Sequence, residues 1–450
     1  MEAQVGRRLA GRGWLALSLA VAGCASGQAQ PSPAPAPAPA PREGPVTTFA
    51  ARAATLTAAY EAARSDGLDR RQFQPEDYWA LLLPVLEQEP DRFHVTEIGR
   101  SIEGRPLRRI DFGHGDTTVL LWSQMHGNES TASRALVDIF RHLAANADDE
   151  MVARIESELA ITVVPVLNPD GAARFVRHNA IGVDINRDAK RLATPEGRAL
   201  KAVRDAIDAE WGFNLHDQNV RTRLGSSGRD VRIALLAPPP GFGETSPANQ
   251  AARRMCAFLA DAMAPIVGDQ VARYDESFNP RAFGDLMTSW GTAVVLIESG
   301  GELDDPDKER LRSANFLGIM SALDAIATGS WEYAAPARYL NLPLNSPWVY
   351  DLLVRGASIV LPGRDPVRAD FAVNYDDTLA ASGGVIVEVG DLEVTSSLEE
   401  IDATGLYFVP DPRVLDPELG PYLRIGTDAV GVLSRDPAGT DVVRRLGSDS

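Results

Sequence analysis

Three near-continuous apolar runs constrain the fold of this chain more than any other feature: Thr117–Ser123 (TTVLLWS), Ala160–Leu167 (AITVVPVL) and Ala293–Ile297 (AVVLI). A strand that is apolar at nearly every position must be covered on both faces, unlike the alternating strand of a sheet with one wet face. Helical periodicity separates the runs, beginning with a helix that follows Ser123 through Leu136 and His142. Gly212–Leu215 and Val231–Leu236 read as further strands. Phe49–Ala63, Pro75–Gln88 and Asn249–Val267 read as helices. The expected fold class is α/β, with a mixed, mostly parallel central sheet flanked by helices.

The texture changes after about Ser330. Short alternating segments take over at Asp351–Leu361, Phe371–Tyr375, Val385–Val389 and Gly405–Pro410, with turns at Gly383-Gly384 and Gly390-Asp391. These predict a small antiparallel β domain, and its segments Asp351–Ala357 and Ile401–Gly405 resemble the small β-sandwich that flanks amidohydrolase barrels, which implies a sandwich-like domain. The expected organisation is a signal segment at 1–23, a tether at 24–46, a catalytic domain at 47–330 and the β domain at 331–450.

The first residues carry Arg7, Arg8 and Arg12 ahead of an apolar stretch, Trp14–Ala22, that is too short to span a membrane. The sequence Val21-Ala22-Gly23-Cys24 resembles the lipobox of bacterial lipoproteins. That resemblance implies cleavage before Cys24, a lipid on its thiol, and export. Ser26 stands where an aspartate would favour the inner membrane, so the expected location is the outer membrane facing the periplasm, or the cell surface. Prolines 31, 33, 35, 37, 39 and 41 predict an extended tether. With Cys24 acylated, Cys256 has no partner for a disulfide. Its neighbours Met255, Phe258 and Leu259 mark it as a packed thiol. The formal net charge of −18 argues against nucleic acid as a partner and leaves the lipid as the only membrane contact.

Chemistry concentrates at His126-Gly127-Asn128-Glu129, directly after the first apolar strand. Residues three apart on a helical turn share a face, so this imidazole and carboxylate can grip one cation. His216 closes the strand Phe213-Asn214-Leu215, and strand ends along one edge of an open sheet are where ligands collect. Two histidines and one glutamate leave a fourth position for water, the ligand set of hydrolytic zinc sites. Read alone, H-x-x-E fits a helix N-terminus with a dipole-favoured carboxylate equally well.

Further motifs decide between these readings. They are Gly99-Arg100-Ser101-Ile102-Glu103-Gly104-Arg105-Pro106-Leu107, Asn168-Pro169-Asp170-Gly171, Gly182-Val183-Asp184-Ile185-Asn186-Arg187 and Ile297-Glu298-Ser299. With HGNE and the late histidine, this ordered series resembles the zinc carboxypeptidase family, the carboxypeptidase A-like metallopeptidases, over roughly Trp79 to Ala325. The resemblance implies one Zn²⁺ per chain held by His126, Glu129 and His216, and a general base at Glu298. It implies that Asn186 and Arg187 hold the substrate's terminal carboxylate and that Arg177 stabilises the oxyanion. Asp184 matches the carboxylate that orients the first zinc histidine. Asp170 and Gly171 belong to a structural turn.

The chemistry of these residue types suits those roles. A glutamate can carry a proton from water to a leaving nitrogen. A guanidinium fork matches a carboxylate with two parallel hydrogen bonds. The chain departs from many digestive members in carrying Asn128 within the first zinc motif. It also has no clearly aligned tyrosine ahead of the base, where Tyr274 and Phe278 are the candidates. Asp285 fits either a pocket for a basic side chain or a helix cap. His142, near the charged end of its helix, is expected in a solvated position, and His94 and His178 are expected at the surface or just behind the ligands.

The expected activity is carboxypeptidase cleavage of peptides. Cleavage of an amide in murein stem peptides, and a catalytically silent peptide-binding lipoprotein, are the competing readings. Oligomeric state is not legible.

Overall fold

The computed structural model describes residues 49–415 and 423–447. The lipobox, Cys24 and the tether lie outside the described residues. Two helices open the described chain, α1 (Phe49–Ala63) and α2 (Pro75–Glu87). Pro75 presets the first turn of α2, where Glu76 and Asp77 complement the helix dipole. An antiparallel hairpin follows, β1 (Phe93–Arg100) and β2 (Pro106–Phe112). The apolar periodicity did not announce it, because its outward positions carry charge.

The first apolar run forms β3 (Thr117–Ser123) and leads into α3 (Thr131–Ala145). Next come α4 (Glu150–Glu158), β4 (Leu159–Val164), α5 (Pro169–Arg174), α6 (Pro195–Ile207) and β5 (Trp211–Asp217). The chain continues through β6 (Thr222–Leu224), β7 (Ile233–Leu236), α7 (Pro247–Ala262), α8 (Ala264–Val267), β8 (Val271–Arg273), α9 (Phe283–Ser289), β9 (Ala293–Ser299) and α10 (Glu309–Thr328). Capping chemistry sets several starts. Asp149 accepts from the amides of Met151 and Val152 at α4, Thr194 from Gly197 at α6, and Ser246 from Asn249 at α7.

The eight-stranded sheet runs β1-β2-β4-β3-β5-β9-β7-β8. Its centre, β4-β3-β5-β9, is parallel, while β2 and β7 join it antiparallel. Side chains alternate across it. Phe213, Leu215, Val295 and Ile297 pack into a core shared with α1, α3, α7 and α10. On the other face Leu120, Trp122 and Val294 meet Leu200 and Val203 of α6 and Phe283 and Met287 of α9. Each fully buried aliphatic or phenyl side chain contributes roughly 1.5–3 kcal/mol. This double cover is what the continuous apolar runs required. Cys256 is buried in the first of these cores. His142 is buried too, against expectation: its ring meets Phe316 of α10 edge-on, and burial lowers its pKa.

The C-terminal region begins with α11 (Pro336–Leu340) and β10 (Asn345–Trp348), which pairs with β6. Then follow β11 (Tyr350–Ile359), β12 (Val367–Asn374), β13 (Val385–Gly390), β14 (Ser397–Asp402), β15 (Tyr407–Pro410), β16 (Gly431–Ser434) and β17 (Val442–Leu446). These seven form one sheet with its own apolar core around Val354, Phe371 and Phe408. The expected purely antiparallel pairing is corrected here. One edge of β11 pairs parallel with β14 along its first half and with β15 after a break at Gly356, whose φ of 68° bends the strand.

Candidate metal centre

His126 and Glu129 sit on the short segment between β3 and α3. Gln124 takes a left-handed φ of 49°, and its side-chain amide donates to the Gly127 carbonyl at 2.9 Å, which closes the turn. Gly127 is compelled by close packing: a β-carbon there would lie 2.0 Å from the Gly171 carbonyl carbon. The H-x-x-E spacing therefore needs the N-P-D-G segment behind it. Asp170 of that segment is fully buried. It accepts from Ser101 Oγ at 2.8 Å, the Glu103 amide at 3.0 Å and Arg105 Nη1 at 2.8 Å, which ties the β1–β2 turn to the site.

His216 lies near the end of β5, where it pairs in register with Glu298 of β9. His126, Glu129 and His216 offer ligand atoms within 4.8 Å of one another, all buried. His126 Nδ1 stands 2.7 Å from Glu129 Oε1, and His216 Nδ1 stands 2.7 Å from Glu129 Oε2. Both imidazoles thus turn the same ring nitrogen toward one carboxylate. His126 Nε2 faces Asp184 Oδ1 at 3.0 Å, an acceptor that fixes the proton on Nε2 and leaves Nδ1 for a cation.

The electrostatics fit a metal. Burial disfavours charge on His126, but Glu129 and Asp184 on either side outweigh it and raise its pKa to about 8. One imidazole between two carboxylates calls for positive charge, from a second proton or from a divalent ion. His216 is shifted down by burial, so it is neutral and able to ligate. Burial acts on Glu129 in the opposite sense, yet the two imidazoles hold its pKa well below the usual range, so it is ionised. Two nitrogens and a carboxylate match the protein ligands of a hydrolytic zinc site.

Glu298 is buried beside this cluster. Burial first, and the charge of Glu129 second, push its pKa up to about 8. Arg177 donates from Nε and Nη2 to Asp184 Oδ2 at 3.2 and 3.0 Å, and from Nη1 to Glu129 Oε1 at 3.1 Å. Asn186 is buried, and its Oδ1 accepts from the Phe283 amide at 3.0 Å, which fixes the start of α9 against the 3₁₀ turn Ile185–Arg187. Arg187 Nη1 donates to the Asn186 carbonyl at 2.8 Å. Asp285, one turn into α9, accepts from the Asn279 amide at 2.8 Å; burial raises its pKa to about 6.

Tyr274 is a member of the site that sequence reasoning left undecided. The charge of Glu298, followed by burial, pushes its hydroxyl up to about 12, and Glu129, Arg187 and Arg177 act on it too. Phe278 instead stacks edge-on against the exposed Phe242 at 5.0 Å. Of the two aromatic candidates, Tyr274 is the one whose hydroxyl lies in the field of the cluster's charges. His94 and His178 are exposed, as expected.

The zinc carboxypeptidase family model matches residues 80–210. That segment carries His126, Glu129, Arg177, Asp184, Asn186 and Arg187, while His216 and Glu298 lie beyond it. The chain is 30% identical to "Probable carboxypeptidase 2" of Trichophyton verrucosum over 176 residues, 38% of this chain and 32% of that protein. It is 35% identical to "Carboxypeptidase E" of Caenorhabditis elegans over 131 residues, 24% of this chain and 28% of that one. The chain thus spans less than a third of the length of these curated relatives. The crystal structure of thrombin activatable fibrinolysis inhibitor covers 63% of this chain and 80% of its own, with a TM-score of 0.50 and 13% identity, a likeness of fold.

Proposed function

We propose that this chain, which belongs to the zinc carboxypeptidase family through residues 80–210, is a zinc metallocarboxypeptidase that releases C-terminal residues from peptides. The observation that carries the proposal is the convergence of His126, Glu129 and His216 on one point, with Glu298 in register beside His216. Zinc held there would supply Lewis acidity and a nucleophilic water near neutral pH. Glu298, in register with His216, takes the proton of the attacking water on its carboxylate and returns it to the leaving nitrogen. The Arg187 guanidinium and the Asn186 amide group receive the free terminal carboxylate. Arg177 keeps two nitrogens on Asp184, and its Nη1 lies beside the ligands, where it meets negative charge developing on the carbonyl oxygen.

Product analysis by mass tests this reading. The purified chain should release a single C-terminal amino acid from unblocked peptides and none from the same peptides amidated at the C-terminus. A chelator should abolish the activity and zinc restore it. Glu298→Gln should lower kcat/KM by about 10²–10⁴-fold while zinc stays near one per chain. Release from muropeptides alone would replace this reading with cleavage of murein stem peptides. Tight peptide binding without turnover would leave a binding module.

A further inference from the structure

We propose that Lys308 is a positioning residue whose ammonium fixes the spacing between the strand that presents His216 and the strand that presents Glu298. The inference rests on the metal-centre reading above. Lys308 is 4% exposed. Its Nζ donates to Asp217 Oδ2 at 3.2 Å, to the Ser299 carbonyl at 3.2 Å and to the Gln218 carbonyl at 3.4 Å. Asp217 directly follows His216 at the end of β5, and Ser299 directly follows Glu298 at the end of β9. One cation therefore bridges both strands a single residue beyond the ligand and the base.

The same carboxylate reaches the third element of the site. Thr131 Oγ1 donates to Asp217 Oδ2 at 2.6 Å, and Thr131 opens α3 two residues after Glu129. The Asp217 amide donates to Glu129 Oε2 at 3.2 Å. A single buried ammonium–carboxylate pair thus touches β5 and β9, which hold His216 and Glu298, and the start of α3, next to the segment that holds Glu129.

Two further observations mark the arrangement as built. Lys308 holds a left-handed φ of 54°, rare for a residue with a β-carbon, and the structure around it maintains that strain. Its amide donates to the Asp305 carbonyl at 3.0 Å, and the Asp305 carboxylate accepts from the amides of Glu309 and Arg310 at 3.0 and 2.9 Å. In a site shielded from water, a cation shared by two strand ends resists their separation far better than it would at the surface.

The test uses the full chain loaded with cobalt(II), whose visible spectrum reports ligand geometry, together with the rate of zinc loss to a chelator and separate kcat and KM values on a peptide. In Lys308→Met the cobalt spectrum should change and zinc should leave about tenfold faster or more, with kcat down by about ten- to a hundredfold and KM within twofold. Lys308→Arg, which keeps the cation, should shift the same readouts less. A Lys308→Met chain with a lower Tm but wild-type spectrum, zinc loss and kcat would overturn the proposal and leave Lys308 a stabilising residue only. If the methionine variant does not fold, a Lys308→Gln chain indistinguishable from wild type in all three readouts overturns it equally. A wild-type chain that takes up no cobalt overturns the metal centre itself, and this inference with it.

Discussion

At the scale of single residues, environment assigns the site carboxyls different states. Glu129, between two imidazoles, is held ionised, while Glu298 and Asp285 are pushed upward by burial. Asp285 gives a pH signature separable from the metal chemistry. Its folded pKa of about 6 exceeds the ordinary value of 3.8. The stability it contributes is fully present below about pH 3.8 and is lost as pH rises through about 6. Asp285→Asn keeps an oxygen for the Asn279 amide and removes the titration. Denaturant unfolding should therefore find this variant about 1–3 kcal/mol more stable than wild type at pH 7, with the two curves meeting near pH 4. A constant difference across that range would show that Asp285 does not titrate in this window.

At the scale of elements, the ligand turn depends on a backbone contact between segments far apart in sequence. Gly127→Ala would drive a methyl group into the Gly171 carbonyl, so the turn or α5 must move. The expected result is a loss of about 3 kcal/mol or more, with zinc content falling well below one per chain by elemental analysis. Retention of full zinc and a wild-type Tm would show that the turn relaxes freely. The helices α1, α2, α3 and α7 were legible because apolar periodicity is a local signal, whereas α5, α6 and α9 beside the site were not read from the sequence. The β1–β2 hairpin was not legible, because its outer face is charged and its turn is organised by Asp170, about 65 residues away along the chain. His142 was misjudged for a related reason: the residue that buries it, Phe316, belongs to α10.

For the whole molecule, the C-terminal sheet is joined to segments that flank the metal centre by buried charge. Asp351 Oδ2 accepts from Arg221 Nη1 at 2.7 Å, the Tyr375 amide at 2.6 Å and Thr378 Oγ1 at 3.1 Å. Arg71, whose carbonyl accepts from Ser130 next to Glu129, pairs with Asp377 at 3.0 Å. Asp351→Ala removes the carboxylate on which Arg221 Nη1, the Tyr375 amide and Thr378 Oγ1 converge, while Arg221 keeps its bond to the Tyr375 carbonyl, and should cost about 1–3 kcal/mol. Calorimetry should show a lower or divided transition, whereas an unchanged single transition would mean the junction bears no stress. We also propose that the chain is exported and anchored through a lipid on Cys24, on the strength of its basic, apolar and Val-Ala-Gly-Cys segments. Cys24→Ser should abolish labelling by radioactive palmitate and move the protein from the membrane to the soluble fraction with peptidase activity intact. Labelling that persists in the variant would exclude this anchor.

What the sequence by itself determined is the set of features carried by short-range pattern. The doubly covered sheet follows from runs such as Thr117–Ser123, which cannot meet water on either face. The H-x-x-E grip follows from residues that share one turn. The ordered motifs that resemble the zinc carboxypeptidase family brought in His216, Glu298 and the carboxylate-binding pair. Tertiary structure alone decided which side chains share a field: Tyr274 beside Glu298, Asp184 behind His126, and Lys308 between two strand ends. The physical reason is distance along the chain. Local conformation depends on neighbours a few residues away, whereas charge and burial depend on whatever packing brings within a few ångströms, and those partners are tens of residues apart.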